Sequence, residues 1–180
     1  MVNSHARLCV LDTCFLIDWV RYRHREALWR VFSVGILPSA VLDEVVSEHT
    51  ISVLRDWLAS GNVLIYPQTD ELIRRAMSLI IDLRSDPRIP KLDLPEAVCI
   101  VIAKEYEATV LTENRGAIRA YQYAPERIRP ASIMNALRLL IMMFREGVLN
   151  NTPQNILHEY EEDVKHRFSR REIDRVLREI

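Results

Sequence analysis

Short apolar runs alternate with longer amphipathic stretches along the first 150 residues of the chain. The runs occupy residues 8–11, 36–37, 63–66 and 109–111, and a fifth is expected around Ile128. Between them, apolar residues recur every three or four positions, which is the spacing of one helix face. Strands that alternate with helices are typical of a parallel sheet covered by helices on both faces. The pattern predicts a three-layer α/β/α fold with a central parallel sheet of about five strands.

The same spacing predicts where the helices lie. We expect them over residues 14–21, 24–34, 41–60, 70–84, 95–106 and 131–146, with a short helix near Ala117. Ser39 is suited to cap the third helix, and Asp93 to cap the helix with Pro95 in its first turn. Parallel strands have their carboxyl ends at one edge of the sheet, where such folds bind ligands. Residues that follow the strands are therefore the first candidates for a functional site.

Residues 151–180 have a different composition, since 13 of these 30 residues are charged. Thr152-Pro153 predicts one helix start, and Ser169 with Glu172 fits a capping box that starts a second helix. Both predicted helices carry an apolar stripe. We therefore expect a C-terminal helical extension of a domain spanning residues 1–150, not an independent domain. The stripes suit either packing against that domain or a homodimer interface, and the sequence favours neither.

Composition and charge exclude several classes of protein. The 180 residues include 24 Lys and Arg against 25 Asp and Glu, so a disordered chain and a basic nucleic-acid coat protein are both disfavoured. Only four glycines are present, which leaves none for a glycine-rich phosphate loop. The three cysteines form no metal-binding pair. Without a signal peptide or an apolar stretch long enough to span a bilayer, we expect a cytoplasmic protein that does not bind membranes.

Acidic residues follow or flank the predicted strands. Asp12 ends the first strand, Glu44 lies on the helix after the second, and Glu96 lies at the start of the helix before the fourth. Carboxylates gathered at one sheet edge repel one another, and the hard ions Mg²⁺ or Mn²⁺ would neutralise them through oxygen ligands. The alternative is that Asp12, Asp93 and Glu96 only stabilise helix starts, where acids are common. The spacing alone leaves both alternatives open.

Four segments occur in a characteristic order: Leu11-Asp12-Thr13-Cys14, residues 38–44, Leu94-Pro95-Glu96-Ala97 and Val110-Leu111-Thr112-Glu113-Asn114. Over roughly residues 7–130, this order resembles the PIN domain family of metal-dependent ribonucleases, which includes the VapC-type toxins of toxin–antitoxin pairs. The family often has Ser or Asn where Cys14 stands, and its last motif usually ends in Asp, where this chain has Asn114. Asn can ligate a metal through its carbonyl oxygen but contributes no charge.

The resemblance implies a Mg²⁺- or Mn²⁺-dependent endoribonuclease that leaves 5′-phosphate and 3′-hydroxyl products. It implies that Asp12, Glu44, Glu96 and Asn114 are catalytic metal ligands, and that Thr112 orients them by hydrogen bonding. Asp93 and Glu113 are additional candidates if a second ion binds. The alternative function is a catalytically weak PIN fold used as an RNA-binding or assembly module, which the neutral Asn114 and the helical extension both favour.

The expected partners are RNA, a small antitoxin protein and a second copy of the chain. Arg115 and Arg119 directly follow the fourth strand and are placed to bind an RNA phosphate. Arg23 belongs to the densest basic segment, residues 21–25, which suits either RNA binding or a solvated loop. The RNA sequence preference is not predicted by any of these residues.

Overall fold

The computed structural model describes residues 7–178, and its centre is a five-stranded, all-parallel sheet. The strands are β1 (Leu8–Leu11), β2 (Val34–Pro38), β3 (Val63–Tyr66), β4 (Thr109–Leu111) and β5 (Ser132–Met134). Their order in the sheet is β3-β2-β1-β4-β5. Helices cover both faces, so the predicted three-layer α/β/α fold is confirmed.

Ten α-helices and one 3₁₀ helix connect and flank the strands in the described part of the chain. They are α1 (Thr13–Trp19), the 3₁₀ helix Arg25–Arg30, α2 (Ser39–Glu44), α3 (Glu48–Ala59), α4 (Asp70–Leu83), α5 (Leu94–Tyr106), α6 (Arg115–Tyr123), α7 (Pro125–Ile128), α8 (Ala136–Arg145), α9 (Pro153–Val164) and α10 (Arg170–Arg178). Within the described range of 7–178, none of these helices is long and apolar enough to cross a bilayer.

The strand order creates a crevice between β1 and β4. The chain builds β2 and β3 on one side of β1 and then crosses to β4 and β5 on the other side. In parallel α/β sheets, ligands bind beside the carboxyl ends of the strands where the order reverses in this way. Asp12 and Thr112 directly follow the two strands that border this crevice.

Each face of the sheet has its own hydrophobic core. Alternate residues of the strands point to opposite faces, so Leu11 and Leu111 belong to the core under α1, α3, α8 and α9, whereas Val10 and Val110 belong to the core under α4, α5 and α6. Seven consecutive residues of α5, Ala97 to Ala103, are at most 4% exposed. A helix that is apolar on all sides is stable only in such a buried position. Glu96, which directly precedes this buried stretch, is therefore held on a rigid element.

Two predicted helices are interrupted or shortened. The helix predicted over residues 41–60 is divided into α2 and α3, because the Ser47 side chain caps α3 by accepting a hydrogen bond from the Thr50 N–H. Ser39 is the first residue of α2 and not its cap, and its hydroxyl accepts from the Gln68 N–H. The helix predicted over residues 24–34 is a 3₁₀ helix that ends at Arg30.

The predicted position of the fifth strand was wrong. Ile128 is the last residue of α7, whose first residue is Pro125, a position that suits proline because a helix leaves its first N–H groups unpaired. The strand lies instead at Ser132–Met134, within the range predicted for the long apolar helix. Asn135 accepts a hydrogen bond from the Arg138 N–H, so α8 begins at Ala136.

The C-terminal extension packs against the rest of the chain. Thr152 caps α9, and Ser169 and Glu172 form the predicted reciprocal capping box of α10. Tyr160 of α9 is 1% exposed and contacts the rings of Trp19 and Tyr22. Its stripe is completed by Ile156, Leu157 and Val164, all buried in the same core. Of the two roles left open for the stripe of α9, packing against the domain is the one observed.

Candidate active site

Asp12 occupies the centre of the crevice between β1 and β4. Its backbone N–H donates to the Leu111 carbonyl at 3.1 Å, which joins the ends of the two strands. With 1% of its surface exposed, Asp12 is the one charged side chain that is fully buried within residues 7–178. Burial without a positive partner disfavours a carboxylate, so this residue carries an energetic cost that the fold must offset.

Thr112 positions the Asp12 carboxylate. Its hydroxyl, which is fully buried, donates to Asp12 Oδ2 at 2.7 Å and accepts from the Asn114 N–H at 2.9 Å. Since the Asn114 N–H can only donate, the Thr112 proton is directed toward Asp12. The hydrogen bond from Thr112 to Asp12 is thus observed, whereas its role in orienting metal ligands stays a prediction.

The pKa of Asp12 is raised from 3.8 to about 6. Burial is the largest cause, the Thr112 hydrogen bond acts against it, and the negative charges of Glu96 and Glu44 raise the pKa further. The electrostatic influence of Glu96 and Glu44 shows that the fold brings these three predicted acids into one neighbourhood. A divalent cation at this place would favour the ionised carboxylate and so act against the rise in pKa.

Glu44 reaches the site from the last turn of α2. Its Oε2 accepts a hydrogen bond from the Thr13 hydroxyl at 2.6 Å. This contact joins the segment that follows β1 to the segment that follows β2. α2 ends here because Val45 has extended backbone angles, and without that break the following residues would carry the helix onward. Thr13 was not among the predicted site residues. Its position next to Asp12 is the one signal that could have indicated it.

Glu96 is held from the opposite side by Asn114. The Asn114 amide nitrogen donates to Glu96 Oε1 at 2.9 Å, while its carbonyl oxygen accepts from the Ala117 N–H at 3.0 Å and caps α6. Both ends of the Asn114 side chain are therefore engaged, and in this arrangement its oxygen faces α6. Metal ligation by Asn114 stays a prediction, whereas its contact with Glu96 is observed.

The second oxygen of the Glu96 carboxylate, Oε2, is buried and has no hydrogen-bond partner. A buried acceptor without a partner is costly, and in native proteins it is an exception that calls for a specific explanation. A ligand that binds beside Asp12 and Glu96 would satisfy it.

Helix capping does not explain the two aspartates. Asp12 and Asp93 precede α1 and α5, but neither side chain accepts a capping hydrogen bond. The Asp93 carboxylate is exposed and pairs with Lys91 at 2.6 Å. A capping hydrogen bond therefore does not account for Asp12 at this position.

Glu113, the other additional candidate, is turned toward α8. Its Oε1 accepts from the Ala136 N–H at 2.7 Å, at the positive end of that helix. Burial raises its pKa to about 7 in spite of this hydrogen bond. The contact depends on where β5 ends and α8 begins, which the sequence analysis placed incorrectly.

The three predicted RNA-binding arginines have different surroundings. Arg115 is exposed at the first position of α6, next to Asn114. Arg119 is also exposed and donates to the Tyr123 hydroxyl at 2.8 Å. Arg23 lies beyond the end of α1 that is remote from Asp12, and its guanidinium pairs with Asp163 of α9 at 2.8 Å. The observed role of Arg23 is a structural contact, and RNA binding by this residue stays a prediction.

Gly116 allows α6 to approach the segment before α5. A Cβ at this position would lie 2.9 Å from the Lys91 backbone carbonyl oxygen, closer than real Cβ atoms come, and 3.0 Å from the side-chain Oδ1 of Asn114, a very tight contact. Any larger residue would displace Asn114, and with it the hydrogen bond to Glu96. This role is not predictable from the sequence, because a glycine inside a short helix carries no local signal of what it contacts.

The oxygen atoms at the site fit a hard divalent ion in chemical type. Asp12, Glu44 and Glu96 supply carboxylate oxygens, the preferred ligands of Mg²⁺ and Mn²⁺. Among residues 7–178, however, no three His, Cys, Asp or Glu side chains are arranged as a preformed metal cage. Thr112, Thr13 and Asn114 each hold one of the three acids. Ion binding would require these carboxylates to turn toward one another.

Comparison with known proteins does not assign the chain to a group. No protein-family model matches the sequence, and no curated protein matches it either. The arrangement of Asp12, Glu44 and Glu96 at the crevice is therefore the basis for a functional conclusion.

Proposed function

We propose that the protein is a Mg²⁺- or Mn²⁺-dependent endoribonuclease. The observation that carries the proposal is the convergence of Asp12, Glu44 and Glu96 on the crevice between β1 and β4, with the pKa of Asp12 raised chiefly by its burial and further by the charges of the other two acids. A structural ion pair would have placed a basic side chain here. Acids that repel one another at a ligand-binding edge are typical of a site that a cation completes.

Each side chain has a distinct task in this proposal. Asp12, Glu44 and Glu96 would hold the ion, which supplies Lewis-acid stabilisation of the charge that develops on the phosphate during hydrolysis. Thr112 and Asn114 would orient Asp12 and Glu96 through the hydrogen bonds described above. Arg115 is exposed next to Asn114 and would attract the RNA backbone toward the acids.

The test compares Asp12→Asn and Glu44→Gln with Asp43→Asn. All three changes remove one negative charge, but Asp43 is an exposed neighbour of Glu44 on α2 and takes no part in the site. With Mn²⁺ and a mixed set of single-stranded RNAs, we expect cleavage by the unmodified protein and by Asp43→Asn. We expect a loss greater than about 100-fold in the other two, because outer-shell changes alone cost 10–100-fold at metal sites. Equal cleavage by all four proteins, or cleavage that persists with a chelator, would contradict the proposal.

A catalytically weak RNA-binding or assembly module is the second candidate. The observation in its favour is that the neutral Asn114 uses its amide to donate to Glu96 and its oxygen to cap α6. RNA binding without cleavage across a range of Mn²⁺ concentrations would favour this module over the enzyme.

The antitoxin partner, the homodimer and the cytoplasmic location rest on the family resemblance and the sequence. The buried stripe of α9 is used within the chain, so a homodimer would need another surface. Mass measurement in solution, alone and after coexpression with the reading frame encoded next to this chain, tests both partners. A monomer in each sample would contradict them.

A further inference from the structure

Helix α4 carries a second apolar stripe beside the one that packs on the core. The helix is anchored by five buried side chains, which are Leu72, Ala76, Leu79, Ile80 and Leu83. Ile73, Met77 and Ile81 recur every four residues and therefore share a neighbouring face of the helix. Met77 is 45% exposed and Ile81 is 65% exposed. Soluble proteins leave a row of large apolar side chains exposed mainly where another molecule binds.

The strand that precedes α4 is also apolar and exposed. β3 is an edge strand of the sheet. Its residue Leu64 pairs with Ile36, which belongs to the core under α4 and α5, so Leu64 lies on the face of the sheet that α4 covers. Leu64 is nevertheless 57% exposed. Proteins usually cover or charge an apolar edge strand, because it favours association with another chain.

A charged residue lies at each end of the α4 stripe. Asp70 and Arg84 are exposed, and each is seven residues from Met77. Seven residues make close to two helical turns, so both charges lie on the same side of the helix as Met77. Within residues 7–178, neither has a salt-bridge partner. The other charges of α4 are already paired at 2.6 to 3.5 Å, as Arg74–Glu71, Arg75–Glu105 and Asp82–Arg127.

The arrangement of the stripe is self-complementary. When two copies of α4 cross antiparallel about a two-fold axis at Met77, Met77 faces itself and Ile73 faces Ile81 of the second copy. Asp70 then faces Arg84 of the second copy, and this contact forms twice, once on each side of the axis. A parallel pair of helices would instead bring like charges together. The charges therefore select both the occupant and its orientation.

We propose that the chain forms a homodimer through α4, with the two helices packed antiparallel about a two-fold axis at Met77. The proposal assigns a surface to the homodimer that belongs to the proposed function, and it is independent of RNA cleavage. The stripe of α9 is not needed for it, because that stripe is buried within the chain.

The first experiment measures the mass of the full-length protein in solution over a range of concentrations. Met77→Glu is compared with Ser78→Glu, since Ser78 is an exposed neighbour that lies outside the stripe. We expect a dimer for the unmodified protein and for Ser78→Glu. Met77→Glu should raise the dissociation constant more than about 100-fold, because two carboxylates would meet at the axis. Thermal unfolding of the variants confirms that each is folded.

The second experiment reverses the charges at the ends of the stripe. Asp70→Arg and Arg84→Asp each place like charges face to face, so each should weaken dimerisation about tenfold. The double variant Asp70→Arg/Arg84→Asp restores opposite charges and should dimerise as the unmodified protein does. A loss of helix stability cannot produce this rescue, because the double variant has an unfavourable charge at both ends of α4.

A mixture of the two single variants gives the sharpest test. In a mixed dimer, both contacts join an arginine to an aspartate, so a tagged Asp70→Arg protein should capture untagged Arg84→Asp protein better than it captures its own kind. If neither the double variant nor the mixture restores the dimer, the antiparallel arrangement is wrong.

The remaining outcomes separate this proposal from the nuclease. A dimer that Met77→Glu leaves intact would overturn the assignment to α4, and a protein that is monomeric at every concentration would overturn the homodimer itself. Neither result bears on RNA cleavage. If the protein does not cleave RNA but Met77→Glu abolishes the dimer, the nuclease fails and the interface stands. A monomer that binds the product of the adjacent reading frame, and loses it on Met77→Glu, would identify a different occupant and contradict the proposal.

Discussion

The acids of the crevice differ sharply from the acids of α9 that form ion pairs with the rest of the domain. Asp163 of α9 accepts hydrogen bonds from two guanidinium nitrogens of Arg23 and from the Arg23 backbone N–H, and these contacts lower its pKa. Asp12 has no basic partner within residues 7–178, and its pKa is raised. One region uses carboxylates to stabilise the fold, whereas the other maintains carboxylates at a cost in stability. A fold tolerates such a cost mainly where function requires it.

Among changes that leave the three acids in place, the largest expected effect concerns the hydrogen bonds that hold Asp12. Thr112→Val has nearly the same shape but removes the donor to Asp12 Oδ2 and the acceptor for the Asn114 N–H. We expect the rate of RNA cleavage to fall 10- to 100-fold, as is usual when an outer-shell partner of a metal ligand is lost. Thr112→Ser keeps the hydroxyl and should retain most activity. If the Thr112→Val and Thr112→Ser proteins cleave RNA equally well, the hydrogen bond has no role in positioning Asp12.

Much of the fold follows from local sequence signals, but the site depends on longer-range contacts. β1, β3 and β4 lie where the apolar runs predicted them, because each run is short and polar residues lie within two positions of both its ends. β5 was misplaced because Ser132–Met134 continues directly into an apolar helix, and only the Asn135 cap separates the two. Strand ends identified Asp12 and Thr112, since parallel strands finish at one edge.

The contacts within the site were less predictable. The hydrogen bond from Thr13 to Glu44 requires α2 to end after one and a half turns, which the apolar spacing of residues 41–60 conceals. Asn114 was interpreted as a metal ligand, although Asn is also a favoured helix cap and acts as one here. Partners that are distant in sequence therefore determine which atom of a side chain faces the site.

The second expected effect is on stability and its pH dependence in the metal-free protein. Because the pKa of Asp12 rises from 3.8 in the unfolded chain to about 6 in the folded protein, the folded state binds more protons between these values. The contribution of Asp12 to the free energy of unfolding is therefore fully present below pH 4 and is lost as pH rises through 6. The full difference corresponds to about 3 kcal/mol, or several degrees in Tm.

Asp12→Asn tests this directly in thermal unfolding with a chelator present. At pH 7 we expect a higher Tm for the variant than for the unmodified protein, and at pH 4 we expect little difference. Mg²⁺ or Mn²⁺ should raise the Tm of the unmodified protein more at pH 7 than at pH 5, because the ion binds ionised carboxylates. Glu113→Gln is a necessary companion, since the raised pKa of Glu113 acts in the same direction near pH 7. An Asp12→Asn protein that is less stable than the unmodified protein at pH 7 would show that Asp12 stabilises the metal-free fold.

The smallest effect is expected at the ion pair between Arg23 and Asp163. Its side chains are partly exposed, and exposed pairs contribute little, so Arg23→Ala should lower Tm by a few degrees at most. Because the pKa of Asp163 is lowered, this contribution is present at pH 7 and is lost as pH falls through that pKa, opposite in sign to Asp12. RNA cleavage and RNA affinity should stay unchanged, since the guanidinium is engaged with α9. A clear loss of RNA affinity with unchanged Tm would instead place Arg23 on the RNA path. The ion pair with Asp163 would then not be purely structural, and the contrast with the acids of the crevice would not hold.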